Sequence, residues 1–407
     1  MAKEEHGALY DLLAVRGVSR RDFMKYCGTI AVMLGLSEAA APEIASAIEK
    51  GAALKPALWL NGGSCTGCTE SMAQVDTPDV ATIVLELLSL NYFETIMAAA
   101  GEQAEKNVED TIADGGYLLI YEGSVMMGPD RLGNTLFVNG RTGIEVLEEA
   151  AAKADAIIAV GACAVDGGWV AAKPNPAGAT GVQSFLNEVG IATPVVNIPC
   201  CPMNPEWVVA MVVQWLKIAD NDPTTFLATT ALAQTTYSDD FTGNDVTLNY
   251  PEYIVSQTIH DNCPRRGHFE NGEFVTEFGS EEEAKGYCLY KVGCKGPQTF
   301  TQCPVTRWNR SVSWCVQSGA PCIGCGGLNW VDNNAPFFRR LSSMQMGGAL
   351  GNVQPGSVAA VVGGVAAAAL IAHGIANKAA GRRGEGPEIE EMKEYDRKKL
   401  AKKGGEK

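Results

Sequence analysis

Ala57-Leu58-Trp59-Leu60-Asn61-Gly62-Gly63-Ser64-Cys65-Thr66-Gly67-Cys68 joins a short apolar run to a glycine-bearing turn and two thiols in C-x-x-C spacing. The apolar run predicts a strand over 57–60. Similar runs follow at Tyr117–Tyr121, Ala156–Val160 and Pro194–Ile198, with helix-like stretches between them, such as Gly143–Ala154 and Pro205–Ala219. Alternation of this kind from about Lys55 to Asp220 predicts an α/β fold with a parallel sheet covered by helices. In such sheets, ligands gather beyond the carboxyl ends of the strands.

The cysteines follow that rule. Cys65 and Cys68 come after the first run, Cys163 after the third in Gly161-Ala162-Cys163-Ala164, and Cys200 and Cys201 after the fourth. Sequence-distant elements thus bring thiols to one edge of one sheet, whereas core cysteines would be scattered through the strands. Cys65, Cys68, Cys163 and Cys201 form a first candidate set of iron–sulfur ligands, because such clusters usually take four thiolates. Alone, a C-x-x-C also suits zinc or a dithiol redox pair.

Composition supports a metal or redox role. The chain has 407 residues and thirteen cysteines, with 46% hydrophobic and 19% charged residues. It is long enough for two or more domains and needs no disulfides to replace a core. The net charge of −15 argues against a nucleic-acid partner. The glycine-rich turns do not form a phosphate-binding loop, and no Ser–His–Asp pattern has supporting context.

Beyond the alternating region, 221–249 reads as a polar connection or irregular insertion. From about Tyr250 to Leu341 regular periodicity fades and cysteines crowd, so 250–345 is expected to fold around its metals. His260, Cys263, Cys288 and Cys294 form a second set, and Cys303, Cys315, Cys322 and Cys325 a third. A Cys3His zinc site and a four-cysteine zinc module are the respective alternatives. Three metal sites in one chain favour an electron relay. The sets use eleven of the thirteen cysteines, leaving Cys27 and Cys200.

Both ends read as address labels. Ser19-Arg20-Arg21-Asp22-Phe23-Met24-Lys25 precedes an apolar stretch, Tyr26 to Leu36, and an alanine-rich region. Residues 1–50 therefore resemble a twin-arginine export signal, with Ala39-Ala40-Ala41 and Ala45-Ser46-Ala47 as competing cleavage sites. An amphipathic helix with two surface arginines is the alternative. Val358 to Ala376 is apolar apart from His373 and three glycines, which predicts a single membrane span over 357–377; a buried core helix is the alternative. Lys378, Arg382 and Arg383 follow it, so the tail 378–407 is expected in the cytoplasm and the body on the periplasmic side. His373 could face a haem or a polar group of a membrane partner, or sit near the interface.

The motifs Cys65-x-x-Cys68, Gly-Ala-Cys163-Ala, Cys201-Pro-x-Asn-Pro, His260-x-x-Cys263, Gly-Cys294-Lys-Gly-Pro and Pro-Cys322-Ile-Gly-Cys325 occur in the order seen in [NiFe]-hydrogenase small subunits. The resemblance runs from about Ala57 to Phe338. It implies a flavodoxin-like domain over 55–220 holding a proximal cluster on the first set. It also implies an irregular second domain with a medial cluster on the third set and a distal cluster on the second, ligated through His260. The implied partner is a large subunit holding the Ni–Fe centre, so this chain would contain no catalytic residue. A membrane cytochrome b and a quinone-like pool are the implied acceptors. Many members have Pro where this chain has Cys315; with Cys it resembles selenium-containing members, which implies three [4Fe–4S] clusters. Cys200 stands where Gly is usual, as an extra thiol next to the proximal ligand Cys201. It is either a residue with a role in oxygen tolerance or a spare thiol. Three readings of the whole chain compete with this one: a one-cluster subunit of a quinone-reducing complex, a zinc-stabilised binding protein and a disulfide-rich ectodomain.

Overall fold

The structure, a computed structural model, describes residues 19–51, 55–75, 88–218 and 225–340. Two helices come first, α1 (Arg20–Met33) and α2 (Ala41–Gly51). The apolar run before the C-x-x-C motif then forms β1 (Pro56–Asn61), followed by the short α3 (Gly67–Met72) and β2 (Ser89–Phe93). After α4 (Glu102–Asp114) comes β3 (Tyr117–Glu122), and after α5 (Gly143–Lys153) comes β4 (Ala154–Val160). α6 (Gly161–Asp166) and α7 (Val182–Val189) lead to β5 (Val195–Ile198) and α8 (Pro205–Ile218).

The five strands pair in parallel in the order β2-β1-β3-β4-β5. This is the flavodoxin-type winding, whose switch point lies between β1 and β3. The apolar runs expected in the sequence are β1, β3, β4 and β5. The edge strand β2 escaped that reading. Only its last two residues, Tyr92 and Phe93, are buried, so it lacks the continuous apolar run that marks the central strands.

Alternation along the strands divides the core in two. Trp59, Leu118, Ile120, Ile158 and Val196 face one layer, built with Phe23 and Ile30 of α1, Ile44 of α2, and Trp207, Met211 and Trp215 of α8. Leu58, Leu60, Leu119, Ile157 and Val195 face the other, covered by α4, α5 and α7 through Val108, Ile112, Leu147, Phe185 and Leu186.

The described residues after Ser19 therefore contribute to the core. Phe23, Cys27, Ile30 and Ala31 recur at helical spacing and are at most 1% exposed. Ser19 caps α1 by accepting from the Asp22 N–H at 3.1 Å, and Arg21 stays exposed. The described part of this region is thus a helix with one buried face, a pattern that both readings of the sequence share.

Residues 221–249 are not simply a connection. β6 (Leu232–Ser238) and β7 (Asp245–Pro251) form an antiparallel hairpin, paired from Leu232–Pro251 to Ser238–Asp245. Val246, Leu248 and Tyr250 alternate inward against solvent-side polar residues. From Glu252 to Leu341 the described residues hold helices of four or five residues, such as Glu252–Val255, Arg266–Glu270 and Cys303–Thr306, joined by turns. This is the irregular architecture that the fading periodicity predicts. The expected span over 357–377 and its charged tail lie outside the described residues. Among the described residues, no helix is long and apolar enough to cross a membrane.

Candidate metal centre

The turn after β1 is organised by a residue that sequence reading missed. Glu122, at the end of β3 and 2% exposed, accepts from Trp59 Nε1 at 3.1 Å, Ser64 Oγ at 3.0 Å and the Cys68 N–H at 3.1 Å. It also accepts from the Thr69 N–H at 3.0 Å and Thr69 Oγ1 at 2.6 Å. A buried carboxylate is tolerated only when so satisfied. The signal was available: Glu122 ends an otherwise apolar strand, Tyr-Leu-Leu-Ile-Tyr-Glu.

Cys65 and Cys68 leave this turn, Cys163 sits on α6 after β4, and Cys201 follows β5. The Ala162 N–H bonds the Cys200 carbonyl at 2.8 Å and ties the last two strand ends together. Gly161 has φ +84°, and a Cβ there would collide with Cys68 Sγ. Burial raises the pKa of the Cys68 thiol well above its ordinary range, helped by Glu122, Cys163 and Cys201. Burial also pushes Cys201 up to about 12, with Cys163, Cys325 and Cys65 adding to the effect. The four thiols of the first set are thus close enough to repel one another as thiolates.

The third set lies beside the first. Cys303, Cys315, Cys322 and Cys325 line a cavity of about 570 Å³ together with Cys201, Thr299 and Trp314. Cys315 is exposed and Cys303 and Cys322 are buried. Thr301 Oγ1 lies 3.0 Å from Cys303 Sγ, and the Gly324 N–H donates to Cys322 Sγ at 3.4 Å.

Cys200 departs from expectation. Although it precedes a first-set residue, its sulfur lies 4.0 Å from Cys303 Sγ and contacts Cys325. The approach of Cys303, the neighbouring Cys325 and burial together raise the Cys200 pKa, while the neighbouring Cys200 lowers that of Cys325.

His260, Cys263, Cys288 and Cys294 of the second set surround a cavity of about 20 Å³. Burial, then the nearby Arg266, lowers the His260 pKa and favours the neutral imidazole that a metal needs. Its ring meets Phe269 edge-on at 4.6 Å. Burial pushes Cys288 up to about 11. The Cys322 N–H donates to Cys294 Sγ at 3.3 Å, so the second set abuts the third.

The candidate residues thus form a row: first set, third set, second set. No two of the thirteen cysteines are joined in a disulfide. Their chemistry fits iron–sulfur clusters. Soft thiolates suit iron and sulfide, buried thiolates need a cationic partner, and the third set with Cys201 borders a space large enough for a polynuclear centre. Among the described residues, no three His, Cys, Asp or Glu side chains converge on a point that a single metal ion could occupy.

Comparison with known proteins agrees with this architecture. Residues 255–338 match the family described as the C-terminal part of the NiFe/NiFeSe hydrogenase small subunit. Residues 65–215 match the family described as NADH ubiquinone oxidoreductase, 20 Kd subunit. The quinone-reactive Ni/Fe-hydrogenase small chain of Wolinella succinogenes is 40% identical, over 80% of this chain and 85% of that one. The hydrogenase-1 small chain of Escherichia coli K12 is 38% identical, over 92% of this chain and 93% of its own length. The recombinant [NiFeSe] hydrogenase of Desulfovibrio vulgaris Hildenborough superposes with a TM-score of 0.61 at 35% identity, covering 70% of this chain and 98% of that structure's chain. With strand-end thiols, a flavodoxin-type sheet and relatives matched over most of their length, the chain belongs to the NiFe hydrogenase small subunit family.

Proposed function

We propose that this chain carries electrons from H2 oxidation in a Ni–Fe large subunit to a membrane cytochrome b and a quinone-like acceptor. Cys65, Cys68, Cys163 and Cys201 would hold the proximal cluster. Cys303, Cys315, Cys322 and Cys325 would hold the medial one, and His260, Cys263, Cys288 and Cys294 the distal one. Iron–sulfur clusters supply one-electron centres when bound. The observation that carries this reading is the row of candidate ligands. Cys201 lines the same cavity as the third set, and the backbone of Cys322 touches Cys294 of the second. Such contiguity keeps neighbouring sites close, as a relay requires.

Cys315 supplies a fourth thiol to the medial site, so all three clusters are [4Fe–4S] in this reading. The relative from Wolinella succinogenes is named quinone-reactive, which supports a quinone-like acceptor. The proposed domains are 55–220 for the proximal site and 250–345 for the other two. A span at 357–377 would anchor the body on the periplasmic side; the arginine pair and the apolar run of the sequence support that placement. N-terminal sequencing of the purified protein tests the export signal: a start near residue 42 or 48 supports cleavage, and a start at Met1 or Ala2 removes it.

Anaerobic purification through a tag on this chain, with iron and nickel quantitation, tests the main reading. About twelve irons are expected here, with a larger nickel-bearing partner. Zinc in place of iron would overturn the relay. A strong [3Fe–4S] signal in fresh oxidised protein would overturn the four-iron medial site.

A further inference from the structure

Cys200 is the thiol that the three sets leave over inside the row. It is fully buried, its sulfur lies 4.0 Å from Cys303 Sγ, and it also contacts Cys325. It does not line the cavity that Cys303 and Cys325 border. It therefore stands behind two candidate ligands of the medial site and is not placed as a fifth ligand. Its backbone is held at φ +84°, a region that favours glycine. The next residue, Cys201, belongs to the proximal set, so one peptide unit connects the two sites.

A thiol in this position has one S–H to donate, and its heavy-atom neighbours include two ligand sulfurs. Water does not compete, because the side chain is buried. Hydrogen bonds to ligand sulfurs withdraw charge from a cluster and stabilise its more negative, reduced state. We propose that Cys200 is a positioning residue for the medial site, whose S–H donates to the sulfur of Cys303 or Cys325 and raises the reduction potential of the cluster held there. This inference rests on the three-cluster reading above.

The test is an EPR-monitored redox titration of the intact, anaerobically purified complex carrying Cys200→Ala, Cys200→Ser or Cys200→Gly. Removing the donor in Cys200→Ala is expected to shift the medial oxidised-to-reduced ratio about fivefold toward oxidised at a fixed potential. That is a midpoint lower by roughly 40 mV, at 59 mV per tenfold for one electron. Cys200→Ser keeps a donor and should hold the midpoint near the wild-type value. Cys200→Gly removes both the donor and the backbone strain, so it should lower the midpoint as Cys200→Ala does while the protein stays folded. Proximal and distal midpoints should not move in any variant.

An unchanged medial midpoint in Cys200→Ala and Cys200→Gly, with the medial signal intact, overturns the inference and leaves the relay standing. A Cys200→Ser midpoint as low as that of Cys200→Ala also overturns it, because packing would then account for the shift. Loss of the medial signal in both Cys200→Ser and Cys200→Gly would make Cys200 a ligand or a structural residue and overturn it too. Absence of any medial signal in the wild-type complex overturns the three-cluster reading and this inference together.

Discussion

Five donors converge on the carboxylate of Glu122, and the two backbone N–H groups among them belong to Cys68 and Thr69. The acid therefore holds the C-x-x-C turn in place as well as ending a strand. Glu122→Ala should lower stability by about 4 kcal/mol, because several buried donors lose their acceptor, and it should abolish the proximal EPR signal. Denaturant melts and EPR check this, and Glu122→Gln should fall between the wild type and the alanine variant. Gly161→Ala is expected to displace Cys68 Sγ and cost about four irons per chain, read by iron analysis. Asp166 carries a pH effect. Burial raises its carboxyl from 3.8 to about 6, although Asn329 and Gly168 N–H groups oppose this from 2.6 Å and 3.0 Å. The folded state thus holds that proton more tightly than the unfolded chain. Stability from this group is complete below about pH 4 and is lost as pH rises through about 6. Between pH 5 and 7.5 the loss should be about 1 kcal/mol, absent in Asp166→Asn, as thermal melts at both pH values would show.

Among the elements, α1 shows how a pattern can support two readings. Apolar residues after an arginine pair resemble an export signal, yet Phe23, Cys27 and Ile30 fall on one helical face. That face packs against the sheet layer shared with α8. Ile30→Ala in the full-length chain should therefore cost about 3 kcal/mol, measured as a lower denaturation midpoint. A segment with no packing role would show almost no change. The strands β1, β3, β4 and β5 were legible because central parallel strands are apolar on both faces. The edge strand β2 and the hairpin β6–β7 were not. The first has only a short buried end, and the second is half solvent-facing, so its inward Val246, Leu248 and Tyr250 were masked by threonines and acids.

At the scale of the whole molecule, the segment from Glu252 to Arg340 has little regular secondary structure to hold it. Its thiols border the cavities that carry the second and third sets. Chelation of iron is expected to expose 252–340 to protease well before 88–218, a difference limited proteolysis with peptide mapping would reveal. Equal protection of both regions without iron would count against metal-dependent folding. The sequence alone determined the parallel sheet and the placement of thiols just beyond its strand ends, because residue type, short-range spacing and strand alternation are local properties. Only the tertiary structure decided how the thiols abut in space, that Glu122 anchors the first turn, and that the Cys200 sulfur approaches that of Cys303. Those depend on contacts between residues 50 to more than 100 positions apart, such as Cys68 with Glu122 and Cys200 with Cys303, which burial and hydrogen bonding select and sequence spacing does not record.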